Sequence, residues 1–282
     1  MWIRRPATPY GTGTRSERAV GGVALKVTVC ELSNDPALLN EQWEELASHV
    51  KTEESELVLL PEMPFCRWLA ADREMDAQEW KESVGAHDLW VERLVELGDG
   101  SVAATRPIIE EGSQFNQGFV WDAKNGARAV HSKHYLPDEE GFWEASWYSA
   151  GRGGFSSVQV QGIEVGFMIC TEMWFLHHAR DYGGRGVQIL ACPRATLAET
   201  VDKWVAGGRV AAVVSGAYCL SSNFAGRAGR HGDWAGTGWI IEPEEGQVLG
   251  TTSRKAPFLT LDIDLGVAEA AKQTYPRYVP DL

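Results

Sequence analysis

The 282-residue sequence predicts an α/β fold in which two sheets pack face to face and helices cover their outer faces. Three observations support this prediction. Short apolar or β-branched runs alternate with amphipathic helical segments, several strand pairs are joined by hairpin turns, and no linker interrupts residues 23–282. The chain is 44% hydrophobic, which is enough to bury a large core as a single domain.

The first half of the chain predicts strands on either side of two helices. "KVTVCEL" at 26–32 is typical of a strand, and Asp35-Pro36 is typical of a helix start with proline in the first turn. The helix that follows has one apolar face, formed by Leu39, Trp43, Leu46 and Val50. "LVLLP" at 57–61 predicts a strand buried on both faces, a second helix spans about 77–97, and "SVAATRP" begins another strand.

Hairpins dominate the second half of the prediction. Asn125-Gly126 is a strong turn signal between "GFVWD" and "ARAVHSK", and Gly162 lies between two further strands in "SSVQVQGIEVGFMIC". A helix is expected to about residue 186, then the strand "VQILACP" and a helix near 200–214. "GWIIEPEEGQVLG" predicts a third hairpin, and "PFLTLDIDL" predicts the last strand.

Composition narrows the classes of function. The formal net charge of −13 argues against nucleic-acid binding, which needs a concentrated basic surface. No apolar stretch is long enough to predict a membrane span. Residues 1–22 are rich in Arg, Thr, Gly and Pro without apolar periodicity, so we predict a flexible N-terminal arm, with packing on a partner subunit as the alternative.

The five cysteines predict free thiols. They are odd in number, far apart and never in a CxxC pair, which gives neither a disulfide framework nor zinc-ligand spacing. Reduced thiols are typical of a cytoplasmic protein. Adjacent His177 and His178, with His131 and His134, suggest a metal site or a Cys170–His177 dyad only weakly, because no HxxxH or carboxylate spacing accompanies them.

Three predicted strands end in reactive residues. "LVLLPE" ends at Glu62, "ARAVHSK" ends at Lys133, and "IEVGFMIC" ends at Cys170. Because ligands and catalytic groups gather at strand ends in α/β folds, we expect these side chains to converge on one pocket. Each also has an ordinary explanation: a core thiol, a capping or surface-paired carboxylate, and a solvated lysine.

Together the three side chains suit acyl transfer from a C–N bond to water. Lys133 would lower the thiol pKa of Cys170 and donate to the oxyanion, while Glu62 would take the thiol proton, deliver it to the leaving amine and then activate water. The backbone N–H of Thr171, just after the nucleophile, is a further candidate oxyanion donor.

Longer motifs around these residues resemble the nitrilase, or carbon–nitrogen hydrolase, superfamily. They are "LLPEMPF" (59–65), "SKHYLPDEEGFWE" (132–144) and "CTEMWF" (170–175), in the family's order and at similar spacing. The later segments "RDYGGRGVQILACPRAT" and "GRVAAVVSGAYCLSSNFAGR" are similar to the family as well, so the resemblance extends over about 25–265.

The resemblance implies a four-layer α-β-β-α sandwich that pairs through its helices, and therefore at least a homodimer. It implies Glu62 as general base, Lys133 as oxyanion stabiliser, and Cys170 as the thiol that forms a thioester. A second glutamate after the lysine orients the amine in such proteins. Glu144 is the best match here, and Glu139 and Glu140 are weaker candidates. No metal or organic cofactor is implied.

Departures from the family pattern bear on the substrate. Tyr135 stands where many relatives have histidine, and Met173 and Trp174 stand where N-carbamoyl-D-amino-acid hydrolases have two arginines. A nitrilase would have Cys-Trp-Glu rather than Cys-Thr-Glu. By elimination we predict an amidase for small carboxamides, with a nitrilase, an N-carbamoyl hydrolase or a non-catalytic binding protein as alternatives.

The substrate pocket is the least determined part of the prediction. Aromatic residues next to the motifs either pack the core or form an apolar acyl pocket, and we take Trp143, Trp174 and Tyr135 as candidates. Arg194 in "CPRAT" is a candidate to hold a substrate carboxylate.

Overall fold

A computed structural model describes residues 24–280, so the predicted arm at residues 1–22 lies outside the described range. The helices are α1 (Pro36–Glu53), α2 (Ala77–Glu92), α3 (Glu144–Trp147), α4 (Leu176–Gly184), α5 (Val201–Ser215) and α6 (Leu265–Ala271). The strands are β1 (Ala24–Ser33), β2 (Leu57–Leu59), β3 (Ser101–Glu110), β4 (Ser113–Asp122), β5 (Gly126–Ser132), β6 (Ser157–Val160), β7 (Ile163–Phe167), β8 (Ile189–Arg194), β9 (Tyr218–Arg227), β10 (Asp233–Ala235), β11 (Trp239–Ile241), β12 (Val248–Thr251) and β13 (Phe258–Asp264).

The strands form one mixed sheet that folds back on itself at β1. The main order is β5-β4-β3-β2-β1-β9-β8-β7-β6, and β13 pairs with β1 in antiparallel fashion. Residues Val27–Val29 of β1 pair with β2, whereas Glu31–Ser33 pair with β9. A single strand therefore joins two half-sheets, β5–β2 on one side and β9–β6 on the other.

The two half-sheets face each other across an apolar core. A methyl group added at Gly118 of β4 would lie 3.0 Å from the ring of Phe167 in β7, so this ring packs directly against the β4 backbone. The inner cluster joins side chains from both halves, among them Leu57, Leu59, Ala103, Val120, Val165, Phe167, Ile189, Ala191 and Leu220. Their burial supplies the main favourable free energy of folding for the sandwich.

Helices cover the two outer faces, which completes four layers in the order α-β-β-α. On one side α1 buries Trp43, Leu46 and Val50 against Val58 and Val102. On the other side α4 and α5 bury aromatic and alanine side chains against β8 and β11, namely Tyr182, Ala179, Trp204, Ala211 and Ala212. The predicted fold class is confirmed. Pairing of two copies through the outer helices stays a prediction.

Local sequence signals account for the helix and hairpin boundaries. The Asp35 side chain accepts the backbone N–H of Ala37 at 3.0 Å, and Pro36 occupies the first turn of α1, as predicted. In the predicted Asn125-Gly126 turn between β4 and β5, Gly126 adopts a φ of +67° and pairs with Asp122. This left-handed conformation carries little steric cost for glycine, which explains the sharp β4–β5 reversal.

Two features differ from the sequence prediction. Strand β9 lies beside β1 near the centre of the sheet, a position that the sequence did not predict. Strands β2 and β7 end at Leu59 and Phe167, so Glu62 and Cys170 lie in the connections just beyond them, whereas Lys133 directly follows β5.

No helix within residues 24–280 combines the length and apolarity needed to cross a membrane. All five cysteines are free and buried.

Candidate active site

Glu62 lies in the connection after β2 and is fully buried. Its Oε1 accepts hydrogen bonds from Nζ of Lys133 and Nδ2 of Asn116, both at 2.8 Å. Its Oε2 has no hydrogen-bond partner among the described residues. A buried carboxylate oxygen without a partner is costly in a folded protein, and here it leaves one acceptor position available for a proton.

Lys133 lies between two carboxylates. Its Nζ is 2.8 Å from Glu62 Oε1 and 2.5 Å from Glu144 Oε2, and all three side chains are fully buried. Burial by itself lowers the pKa of Lys133, but the charges of Glu144 and Glu62 outweigh it and raise that pKa, so the ammonium stays protonated. An ammonium has three donors. The two carboxylates engage two of them, which leaves the third for a ligand.

Glu144 is the first residue of α3. Together with Glu62 and Lys133 it forms what we call the charged cluster. Its Oε2 accepts hydrogen bonds from Lys133 and from the hydroxyl of Tyr148, and its Oε1 has no partner within the described chain. Burial raises the pKa of Glu144 to about 7, with Glu62 adding to the rise and Lys133 opposing it. The structure therefore places Glu144 next to Lys133, as predicted, whereas Glu139 and Glu140 are exposed.

Cys170 opens a tight turn of 3₁₀ helix and is 3% exposed. Its φ is +48°, a left-handed conformation that is uncommon for a residue with a side chain. Met63, next to Glu62, is also left-handed, with φ +44°. Such backbone strain costs on the order of 1–3 kcal/mol and clusters at functional sites, so both outliers mark this region as a site.

The thiol of Cys170 is held in its protonated form. Burial and the carboxylate of Glu62 raise its pKa, while the ammonium of Lys133 and the backbone N–H of Ala195, which hydrogen-bonds to the sulfur, lower it. Lys133 lowers the thiol pKa, as expected, but burial and the nearby carboxylate of Glu62 outweigh the ammonium, so the net pKa is raised. Attack by this sulfur requires a base at the moment of reaction.

A second buried glutamate fixes the turn that carries Cys170. Glu172 accepts hydrogen bonds from the backbone N–H of Ile169 at 2.8 Å and from that of His134 at 2.7 Å. Nε2 of His131 lies 2.8 Å and 2.9 Å from its two oxygens. Because Ile169 precedes Cys170 while His131 and His134 flank Lys133, Glu172 ties the thiol turn to the lysine segment.

Glu144 and Cys170 line a small cavity of about 110 Å³, which we call the catalytic cavity; Lys133 and Glu62 lie behind Glu144 and are not among its lining residues. Its walls include Glu144, Cys170 and Thr171, so Thr171 is adjacent to the thiol, as predicted from the chain order. Its other lining residues are Pro137, Glu139, Phe142, Ala195, Thr196, Leu197, Thr200, Lys203 and Trp204.

The predicted pocket residues Trp143 and Trp174 do not line the catalytic cavity. Residues three apart eclipse each other in a 3₁₀ helix, so Trp174, four places after Cys170, points about a third of a turn away. Its ring packs on Trp204 at 4.9 Å and is 39% exposed. The ring of Trp143 lies 5.0 Å from the guanidinium of Arg73. Trp204 lines the cavity instead.

Tyr135 and Arg194, the other two predicted pocket residues, do not line the catalytic cavity either, and both contact other parts of the protein. The ring of Tyr135 stacks on Phe175 at 3.4 Å, and its hydroxyl lies 3.0 Å from His178 Nε2. The guanidinium of Arg194 is fully buried; it donates to Ser221, Thr196 and the backbone oxygen of Thr237 at 2.6–2.8 Å. It supports the cavity wall at Thr196 rather than reaching a substrate carboxylate.

Three functional residues were not predicted from the sequence: Asn116, Tyr148 and Glu172. Asn116 is a fully buried polar residue in β4, and an asparagine within a strand is the one local signal that it left. Tyr148 and Glu172 lie within four residues of Glu144 and Cys170, but nothing in the chain order shows which way their side chains point.

Comparisons with known proteins agree with this architecture. A model of the family described as "Carbon-nitrogen hydrolase" matches residues 26–273. Among solved structures, a carbon-nitrogen hydrolase from Helicobacter pylori superposes with a TM-score of 0.76 at 19% identity, covering 90% of this chain and 94% of that one. The NitFhit protein of Caenorhabditis elegans gives 0.79 at 19% identity, covering 90% of this chain and 64% of that one. These likenesses establish the fold.

Curated relatives match over shorter segments. The chain is 24% identical to an N-carbamoylputrescine amidase of Arabidopsis thaliana over 177 residues, 58% of this chain and 59% of that protein. It is 32% identical to a citrullinase of Francisella tularensis over 85 residues, 30% of each chain. The matches therefore span less than two thirds of these relatives. The family model, in contrast, covers nearly the whole chain, and the protein belongs to the carbon-nitrogen hydrolase family.

Proposed function

We propose that this protein is an amidohydrolase that cleaves a small non-peptide carboxamide to a carboxylic acid and ammonia or an amine. The observation that carries the proposal is the buried arrangement of Lys133 between Glu62 and Glu144, beside the thiol of Cys170. Folding such a charged group into the interior without a function would be costly, since buried ions lose their hydration.

The reaction begins with attack on the amide carbonyl carbon. The sulfur of Cys170 forms the C–S bond while its proton moves to the unpartnered Oε2 of Glu62. The carbonyl electron pair becomes an oxyanion, which the remaining N–H of Lys133 and the backbone N–H of Thr171 stabilise. The high pKa of the thiol makes this concerted proton transfer necessary.

Collapse of the tetrahedral intermediate breaks the C–N bond. Glu62 returns its proton to the leaving nitrogen, so that neutral ammonia or amine departs and a thioester remains on Cys170. Glu62 then removes a proton from water, and the resulting hydroxide attacks the thioester carbonyl. The C–S bond breaks, the acid leaves, and Glu62 returns that proton to the sulfur, which restores the thiol. Glu144 holds Lys133 in place throughout, since its Oε2 is bonded to Nζ.

A second candidate is hydrolysis of an N-carbamoyl group. It is favoured by the similarity to N-carbamoylputrescine amidase and citrullinase. The same three side chains would form a carbamoyl thioester, which water would convert to carbon dioxide and ammonia. The chemistry at Cys170 is common to both candidates, so the substrate decides between them.

Ammonia release from matched amide, nitrile and N-carbamoyl compounds tests the proposal. We expect turnover of amides by the parent protein and a loss of about 10⁴-fold or more in Cys170→Ala, because no other thiol lines the catalytic cavity within the described chain. Exclusive turnover of nitriles would refute the amidase assignment. Preference for N-carbamoyl compounds would select the second candidate.

A further inference from the structure

A larger cavity lies next to the catalytic cavity. Its volume is about 340 Å³ and its inner wall carries three aromatic rings, those of Trp68, Phe142 and Trp234; we call it the aromatic cavity. The catalytic cavity, at about 110 Å³, is smaller than pockets that hold drug-sized ligands, which start near ~300 Å³. The reacting carboxamide has room there, but a bulky substituent needs space elsewhere.

The two cavities share a wall. Phe142 and Leu197 line both of them. Phe142 lies two residues before Glu144, and Leu197 lies two residues after Ala195, whose N–H contacts the thiol. Phe142 is half-buried, so its ring is not fixed by packing on every side. A substituent that extends from a carboxamide at Cys170 toward the aromatic cavity would pass Phe142 and Leu197.

The aromatic cavity is preorganised. Its three rings lie 5.9–6.4 Å apart in tilted or edge-on arrangements, a favourable geometry for aromatic pairs. The indole N–H of Trp68 donates to Gly141 O at 2.8 Å, which fixes the segment that carries Phe142. Leu197 and Trp234 pair through a β-bridge. The cavity thus exists before any ligand binds, which limits the entropy that binding must overcome.

Charges at the rim are already paired. Arg230 lies 2.6 Å from Asp72, which is the one carboxylate among the lining residues that the structure describes. Arg67 lies 2.5 Å from Glu79. A cationic amine would find no unpaired carboxylate in this lining, and an apolar ring would meet aromatic faces.

We propose that the aromatic cavity receives the non-reacting end of the substrate, and that this end is an uncharged aryl group. The inference rests on the proposed function, because it requires the carboxamide to sit at Cys170. It specifies the substrate class as aryl-substituted amides, in preference to short aliphatic amides and to amides that carry an ammonium group.

Three amides test the preference: 3-phenylpropanamide, butanamide and 4-aminobutanamide. Burial of a phenyl ring predicts a kcat/KM for the aryl amide that is about tenfold to a hundredfold above that for butanamide. The aminoalkyl amide is expected to rank last. Equal values for the aryl and aliphatic amides, or a preference for the cationic one, would overturn the proposal.

A cavity-filling variant locates the effect. Ala71 lines the aromatic cavity but not the catalytic cavity. We expect Ala71→Trp to lower the ratio of aryl to aliphatic kcat/KM by at least tenfold, since its ring would occupy the space for the substrate. Ala123→Trp is the matched control, because Ala123 is exposed in the β4–β5 turn. An unchanged ratio in a folded Ala71→Trp protein would contradict the proposal; Ala71→Leu is the smaller alternative if it does not fold.

A binding measurement separates this inference from the proposed function. Calorimetric titration of Cys170→Ala with 3-phenylpropanamide is expected to give a Kd at least tenfold below that for butanamide, and the Ala71 substitution is expected to abolish the difference. If the parent releases no ammonia but this pattern holds, the proposed function fails and the site remains. If turnover occurs without the pattern, the function holds and the aryl site is wrong.

Discussion

Two sets of buried carboxylates lie near Cys170, the pair Glu62 and Glu144 and the single residue Glu172, and they differ in how their oxygens are satisfied. In the first group, Glu62 and Glu144 share Lys133, and each keeps one oxygen without a hydrogen-bond partner in the described chain. In the second, both oxygens of Glu172 accept hydrogen bonds. All three side chains are equally inaccessible.

The difference separates a reactive arrangement from a supporting one. A satisfied carboxylate such as Glu172 stabilises the backbone around it and has no acceptor position to spare. An unsatisfied buried oxygen costs free energy, and proteins tolerate that cost mainly where chemistry needs the acceptor. This difference supports our proposal that Glu62 transfers the proton, and we propose a positioning role for Glu172.

Removing the proton acceptor at Glu62 should have the largest effect on kcat. Glu62→Gln preserves the shape of the side chain but cannot take the thiol proton, so we expect kcat to fall by about 10³-fold with little loss of fold, as measured by ammonia release and circular dichroism. Glu92→Gln, exposed at the end of α2, is the matched control and should retain the parent kcat. A Glu62→Gln protein with parent-like kcat would remove the base from the mechanism.

Removing the carboxylate of Glu172 should mainly lower the free energy of unfolding. Glu172→Ala leaves the backbone N–H groups of Ile169 and His134 and a ring nitrogen of His131 without their acceptor. Each buried unsatisfied donor costs about 1–3 kcal/mol, so urea unfolding should show a loss of about 3 kcal/mol or more.

Glu172→Gln provides the conservative comparison. Its single amide oxygen can accept one of the two backbone N–H groups that separate carboxylate oxygens accept in the parent, so we expect a smaller loss of stability than in Glu172→Ala. If Glu172→Ala unfolds at the same urea concentration as the parent, the positioning role would be contradicted.

The smallest expected effect is a pH dependence of stability that comes from Glu144. Its pKa is raised by burial from 4.5 to about 7, so between these values the native state binds a proton that the unfolded state has released. The stability from this group is full below about pH 4.5 and is lost as the pH rises through about 7. Between pH 5 and pH 7.5, the free energy of unfolding measured in urea should fall more for the parent than for Glu144→Gln. Equal decreases would contradict the raised pKa.

Much of the fold was predictable because its signals are local. The proline and N-cap at residues 35–36, the glycine of the β4–β5 turn and the apolar face of α1 each act within a few residues. The central position of β9 was not predictable in that way, because this strand takes its place through pairing with β1, which is far away in the chain.

The sequence predicted the reactive residues of the candidate site but not the residues that line its cavity. Glu62, Lys133 and Cys170 follow strands, and the sheet brings those strand ends together, so their convergence follows from topology. The lining depends on side-chain direction, which sequence adjacency does not give. Trp174 is four residues from Cys170 but does not line the cavity, whereas Trp204, from a separate helix, does.

Intact-protein and peptide mass spectrometry of the parent, quenched briefly after mixing with an amide, tests the central claim most directly. We predict an added acyl group, equal in mass to the amide less ammonia, on the peptide that contains Cys170. The added mass should be absent from Cys170→Ala. Steady hydrolysis of the amide with no added mass on that peptide, together with retained turnover in Cys170→Ala, would show that the thiol is not the nucleophile.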